Sequence, residues 1–273
     1  ADSGVILSYL VAKLAKKYVT VVLNGDGGDE LFAGYPSRHF RLKRDVDYFT
    51  YINLFRSSAA YGLGVLNKVY KNKKLKQIDN FLKKSKLPLY LRFASYNQIF
   101  SSGDLNSLTE EDLRKEIHDQ NPFEEVEDCF RQFEGEDLKD AGLKFDLLYW
   151  LPDDLLAKAD MSSMASSLEA RSPLLDQKMI ELAGQIPFNL KVKNGQGKYI
   201  FKKALKGLVP DENLYHFKRG FGLPLHLWFH GKINSYTRSL LLSKNAKIKD
   251  LIKQEEIKQM LYSHSESTDF GPK

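Results

Sequence analysis

The sequence predicts an α/β fold that is predominantly helical. One short β-branched apolar run, Tyr18-Val19-Thr20-Val21-Val22-Leu23, lies just after a helical pattern, and a turn rich in Gly and Asp follows it at once. Beyond Tyr35 the chain reads as helices rich in Leu, Phe, Tyr and Lys joined by polar turns.

The first helix is expected over Val5 to Leu14, where Val5, Ile6, Tyr9, Leu10, Val11 and Leu14 recur at helical spacing after Asp2 and Ser3 as caps. The run ending at Leu23 is nearly continuous in apolar residues, the pattern of a strand buried on both faces in a parallel sheet. No second convincing strand follows. Its neighbours are expected in a segment upstream, with Leu190 to Lys193 as a weaker candidate. Leu151-Pro152-Asp153-Asp154 places Pro and acids at the start of a further helix, with Leu155, Leu156, Ala159, Met164 and Leu168 as its buried stripe. Gly197 to Leu205 reads as a basic amphipathic helix. Phe217 to Leu225, with two glycines, a proline and two cations, reads as a mobile loop, and Ser263 to Lys273 as a frayed tail. Residues 1–245 are expected to form the body of one domain, and 246–273 its C-terminal helix and tail. The chain opens on Ala1-Asp2-Ser3 without an initiator Met, so it reads as a piece of a longer protein.

Bulk properties narrow the function classes. With 273 residues, 42% of them hydrophobic, the chain can bury a sizeable core. The net charge of +6 comes from 41 basic against 35 acidic residues, mostly interleaved, which reads as a solvated basic surface rather than a nucleic-acid site. The densest basic stretch runs from Lys71 to Lys86 with Leu75, Ile78, Phe81 and Leu82 interleaved. It suits an amphipathic surface helix and offers no aromatic stacking platform. Cys129 is the single cysteine, which rules out an intramolecular disulfide and a cysteine-rich zinc site and suits a cytoplasmic setting. No apolar run approaches the roughly 18 residues of a membrane span.

The turn Asn24-Gly25-Asp26-Gly27-Gly28-Asp29-Glu30 lies at the carboxyl end of the predicted strand, where open α/β sheets place their ligands. Its glycines permit positive φ and let backbone N–H groups approach a phosphate, and a helix beginning at Leu31 favours anionic oxygens. Asp26 and Asp29 would repel a phosphate unless a cation intervened, so Mg²⁺ bridging carboxylate and phosphate is the natural resolution. The competing reading is a tight turn in which Asp29 caps the helix. A calcium loop is excluded, because counting from Asn24 its sixth and twelfth positions are Asp29 and Tyr35 instead of Gly and Glu. For the second segment, the plain alternative is a surface Glu169–Arg171 pair and an Asp176 helix cap.

Asn24 to Tyr35 resembles the Ser-Gly-Asp/Glu-Gly-x-Asp-Glu-Leu/Val-Phe-x-Gly-Tyr signature of the asparagine synthetase family, with Asn24 in place of Ser. Leu151 to Asp160 and Glu169 to Asp176 are similar to that family's Leu-Pro-Asp-Asp-x-Leu-x-Lys-x-Asp and Glu-x-Arg-x-Pro-Leu/Phe-Leu-Asp segments, with Ser172 where a small apolar residue is usual. Lys218 to Pro224 is similar to its Lys-x-Gly-Phe-Gly-x-Pro loop. The resemblance implies part of a synthetase domain of the pyrophosphatase type (adenine nucleotide alpha hydrolase-like), incomplete at both ends. ATP would adenylate a carboxylate, that of aspartate, and ammonia from a glutaminase domain would displace AMP. It implies Asp26 and Lys218 as catalytic, Asn24, Gly25, Gly27, Asp29, Lys158 and Asp160 as ATP-binding, and Asp29 as the Mg²⁺ carboxylate. It admits a homodimer, with neither nucleic acid nor membrane as partner. A relative amidating another carboxylate such as a sugar acid, or a non-catalytic binding fragment, stays open. The family's Ser-Gly-Gly-x-Asp-Ser loop has no counterpart, since no Ser-Gly-Gly occurs in the 273 residues, so the chain alone is expected to be inactive.

Overall fold

The computed structural model describes residues 3–48, 87–98, 100, 102–117, 120–133, 136–216, 223, 227–228 and 232–266. The described residues divide between two compact units, one formed by residues 1–97 and 123–220, the other by 98–122 and 221–273. The basic stretch at Lys71 to Lys86 and the residue Lys218 lie outside the described residues.

In the first unit, α1 spans Gly4–Ala15, as its apolar spacing predicts, although Ser3 makes no side-chain cap. What α1 buries is Gly4 and Ala12, while Leu10, Val11 and Leu14 stay exposed. Its partner is a helix over Ala157–Met164 that buries Ser162 and Ser163. Small residues on both sides let the two backbones approach, and the Ser162 hydroxyl donates to the Val5 carbonyl at 3.4 Å. The expected stripe is therefore corrected at Met164, which is 58% exposed while Ser162 and Ser163 just before it turn inward; Leu168 is buried as expected.

Strand β1 is Val21–Leu23, and it pairs in parallel with β2, Glu169–Arg171, matching Val21 with Glu169 and Leu23 with Arg171. The sheet thus finds a partner within the chain, in a segment of residues that individually favour helix. Leu190 to Lys193 is not that partner, since Phe188–Lys191 is helical and Lys193 makes an isolated bridge to Gln196. The strand is also not buried on both faces. Leu23 is 71% exposed, because a sheet of two strands among the described residues covers little of it.

After the turn, α2 occupies Gly28–Leu31, and Leu31, Phe32 and Ala33 plunge into the core. A π-helical turn over Pro36–Phe40 leads into helix over 41–48. The helix Leu138–Phe145 continues through a π-helical stretch, Asp146–Leu156, into Ala157–Met164. Pro152 therefore lies inside a helical run that starts upstream of it, a second correction. A proline removes one backbone donor, and the wider π spacing accommodates that loss. Leu42, Phe93, Val126, Phe130 and Ala141 form the largest buried cluster, and Gly142 is needed there, since a Cβ would strike Leu42 and Phe93.

The second unit contains helices Ser102–Leu108, Glu111–Ile117, Lys232–Leu241 and Gln254–Glu266. Leu108, Ile257 and Leu261 are buried in it, and backbone bonds from Glu110 to Leu251 and from Lys253 to Leu108 join its two chain segments. The last helix runs to Glu266, past the Ser263 at which fraying was expected. No described helix is long and apolar enough to cross a membrane.

Candidate functional site

The turn after β1 is built from both ends. Asn24 donates its backbone N–H to the Arg171 carbonyl at 2.9 Å, extending the sheet by one bond. Its side chain is fully engaged: Oδ1 accepts from the Ser172 hydroxyl at 2.6 Å and from the Asp26 N–H at 3.4 Å, and Nδ2 donates to Asp26 Oδ2 at 2.7 Å. The two positions at which the sequence departs from the family signature, Asn24 and Ser172, thus bond to each other, and together they aim the Asp26 carboxylate. Burial raises the pKa of Asp26, and the nearby Lys158 charge pulls it back down. Lys158 is close enough for its charge to act on Asp26, whereas Asp160, on the same helix, is exposed.

Gly27 precedes α2 at φ 85°, in the left-handed region that favours glycine, and a Cβ there would collide with Leu175. Because this glycine occupies the cap position, Asp29 does not cap the helix. Its carboxylate instead meets the Lys198 ammonium, Nζ to Oδ1, at 3.0 Å. Lys198 sits at φ 54° and ψ 28° at the start of the helix Tyr199–Leu205, and its N–H donates to the Phe32 carbonyl at 2.9 Å. Phe32 stacks on Phe201 of that helix with centroids 4.7 Å apart, which fixes the helix beside the turn. A cavity of about 990 Å³ opens in front of this pair, lined by Asp29, Ser37, Gln196, Lys198, Lys202 and Tyr215 among others. A volume of this order accommodates a nucleotide-sized ligand.

Behind the turn lies a buried polar network. Tyr35 donates its hydroxyl to the Glu30 carboxylate, and its backbone N–H donates to His39 Nδ1 at 3.2 Å. His39 Nε2 then carries the proton and donates to Asp146 at 2.7 Å. Arg38 closes the network on the other Asp146 oxygen at 2.6 Å, with its guanidinium 4.8 Å from the Phe93 ring centroid and 5.0 Å from that of Trp150. Both π-helical stretches meet at this point. Sequence reasoning missed Lys198, Ser172 and this network. Tyr35 belongs to the recognised string, but Asp146 is 107 residues from His39 and carries no local signal.

Elsewhere the plain readings hold. Glu169 and Arg171 pair at 2.7 Å on the exposed side of β2, and Asp176 caps the helix Gln177–Gln185 through the Lys178 N–H. Among the described residues, no three His, Cys, Asp or Glu side chains gather to hold a metal. The donor set at the turn is the two carboxylates of Asp26 and Asp29, which suits a hard cation that keeps its waters and shares phosphate ligands, and does not suit an all-protein cage.

Fold and site together define a helix-rich α/β domain that presents a carboxylate and glycine turn at the end of a parallel strand. The family model described as Asparagine synthase matches residues 1–272, and the chain belongs to that family. It is 31% identical over 270 residues to "Asparagine synthetase [glutamine-hydrolyzing] 1" of Bacillus subtilis, an alignment covering 97% of this chain and 40% of the relative. It is also 31% identical over 229 residues to a putative asparagine synthetase [glutamine-hydrolyzing] of Mycobacterium tuberculosis, covering 84% of this chain and 33% of that protein. The chain thus spans well under half the length of these relatives. No solved structure matches it.

Proposed function

We propose that this chain is the carboxylate-activating part of a glutamine-dependent, amide-forming synthetase. In that reading ATP adenylates the side-chain carboxylate of aspartate and releases pyrophosphate. Ammonia drawn from glutamine then attacks the acyl carbon, the bond from that carbon to the AMP oxygen breaks, and AMP leaves with the electron pair. The observation that carries the proposal is the Asp26 carboxylate, held by Asn24 at the carboxyl end of β1 with Lys158 beside it.

Asp26 would take the proton that the nitrogen sheds as the amide forms. Burial favours its neutral form, so it is a better proton acceptor than an exposed aspartate, while the Lys158 charge opposes that rise. Lys158 would also face the phosphate oxygens, Gly25 leaves the turn's backbone open to them, and Gly27 would supply the left-handed turn that presents that backbone. Asp29 would hold Mg²⁺, which when bound neutralises charge on the polyphosphate. Lys218, outside the described residues, matches the family loop and would stabilise the charge that develops as pyrophosphate or AMP leaves. The pyrophosphatase-type architecture belongs to the same reading, supported by the parallel β1–β2 pair with the site at its carboxyl end.

The test is Asp26→Asn in the full-length protein, which keeps the shape and removes the base. Amide formation should fall by about two to four orders of magnitude while aspartate-dependent exchange of pyrophosphate into ATP persists. Unchanged amide formation, or release of ADP in place of AMP, overturns the proposal.

A further inference from the structure

The Asp29–Lys198 pair occupies the carboxylate oxygen that a cation would need. Three features show that the pair is built, beyond a surface encounter. Lys198 adopts a left-handed conformation rare for a residue with a side chain, and Asn194 and Gly195 just before it lie at φ 52° and 72°, so the segment is held in a costly shape. Gly34 leaves room for the pair, since a Cβ there would strike both the Asp29 carboxylate and Lys198 Cε. Both partners are half-buried, at 28% and 22% side-chain exposure, so they are neither sealed in the core nor freely hydrated.

The surroundings also limit where the ammonium can go. The cavity in front of it already contains Lys202, whose ammonium is held below its usual pKa range by burial and then by the Lys198 charge, while Asp29 opposes the shift. If Lys198 left Asp29 for this cavity it would confront a like charge, unless an anion entered with the incoming cation.

We propose that Lys198 is a resident counter-ion of Asp29 that yields the carboxylate to a divalent cation only when the cation arrives with polyphosphate, to whose oxygens the ammonium then turns. The inference rests on Asp29 as the metal-holding carboxylate. It adds that metal and phosphate binding are coupled through one lysine, so that bare metal is disfavoured. A competing positive charge raises the free energy of cation binding, and an anion that relieves it restores affinity.

Binding of Mn²⁺, followed by the loss of its free electron paramagnetic resonance signal, tests this with and without pyrophosphate. Four proteins are compared: the wild type, Lys198→Gly, Lys198→Asn and Asp29→Asn. Glycine suits the positive φ, and Lys198→Asn, also tolerant of that region, serves as a second variant, with circular dichroism confirming the fold. The wild type should bind bare Mn²⁺ weakly and more tightly with pyrophosphate. Lys198→Gly should bind bare Mn²⁺ about fivefold or more tightly than wild type, the scale of a partly exposed ion pair, and should lose most of the pyrophosphate enhancement. Lys198→Gly and Lys198→Asn affinities equal to or weaker than wild type, with Asp29→Asn still impaired, overturn the counter-ion role and leave the Asp29 assignment standing. Mn²⁺ binding unaffected by Asp29→Asn overturns the assignment and this inference together.

Discussion

Asp29 and Glu30 are adjacent acids in one short helical turn, and they live in opposite worlds. Asp29 faces an open cavity and meets a lysine whose long stem can swing. Glu30 is 1% exposed and bound to Tyr35, in a network that runs through His39 to Asp146 and Arg38. Charge on the open side is balanced by a flexible partner that can exchange it. Charge on the closed side is fixed by rigid partners, aromatic rings included, that cannot leave. A site that must release and rebind ions needs the first arrangement, and it needs the second directly behind it so that the turn keeps its position while the front changes. The contrast predicts that damage to the rear costs stability, whereas damage to the front costs chemistry.

The largest effect should come from Asp146→Ala. It strips the buried Arg38 guanidinium of its carboxylate and the His39 imidazole of its acceptor, and breaking a buried pair by removing one partner costs about 3–5 kcal/mol. Urea unfolding followed by circular dichroism would show the midpoint fall accordingly. A loss below about 1 kcal/mol would mean that the network is not what holds the turn.

How much of this contrast could be read in advance depends on the distance over which each feature is encoded. Asn24 to Tyr35 was legible as a candidate site because strand, glycines and acids follow one another in the chain. The expectation of a helix over Val5 to Leu14 was met for the same reason, since its period is local. The partner strand was not legible. Glu169-Ala170-Arg171 lacks β-branched residues, and it is a strand because Asn24 and Thr20 bond to its ends, which only the folded chain brings together. Lys198 was visible as part of a basic helix, but its pairing with Asp29 depends on the Phe32 carbonyl and the Phe201 stack that dock that helix. The family string marked Tyr35, and nothing near it marked His39 or Asp146.

An intermediate effect separates two glycines on either side of α2. In Gly34→Ala the new methyl group would overlap the Asp29 carboxylate and the Lys198 stem, so the ion pair must move, with a cost of about 1–3 kcal/mol typical of overpacking. Gly25→Ala adds a methyl with nothing within 4 Å and should change stability by less than about 0.5 kcal/mol. Thermal melting of the two variants side by side checks this, and equal shifts would show that the front of the turn is looser than its contacts suggest.

The smallest expected change sharpens the comparison most, because it alters one atom on the closed side. Burial raises the pKa of Glu30, the Tyr35 hydrogen bond partly opposes that, and the Asp29 and Asp146 charges add to the rise. A carboxyl group whose folded pKa exceeds its unfolded value contributes stability below the unfolded value, near 4.5, and that contribution is lost as pH climbs through the folded value. Above its raised folded pKa the wild-type protein therefore carries a buried charge that it does not carry below it. Glu30→Gln removes the charge and keeps an oxygen to accept from Tyr35, so the variant should gain about 1 kcal/mol over wild type between pH 7 and 8. As the pH falls toward 4.5 the gap should narrow, because protonation of the wild-type carboxyl removes the difference in charge. Melting temperatures measured across that range without metal isolate the effect, since every other titrating group is common to both proteins. Asp29→Asn gives the control on the open side: it removes one of the smaller contributions to the Glu30 shift and leaves the buried carboxyl in place, so the pH dependence of melting should be kept, with Glu30 titrating somewhat lower. A variant pair in which Asp29, and not Glu30, governs the pH slope would invert the assignment of rigid and exchangeable charge within this turn.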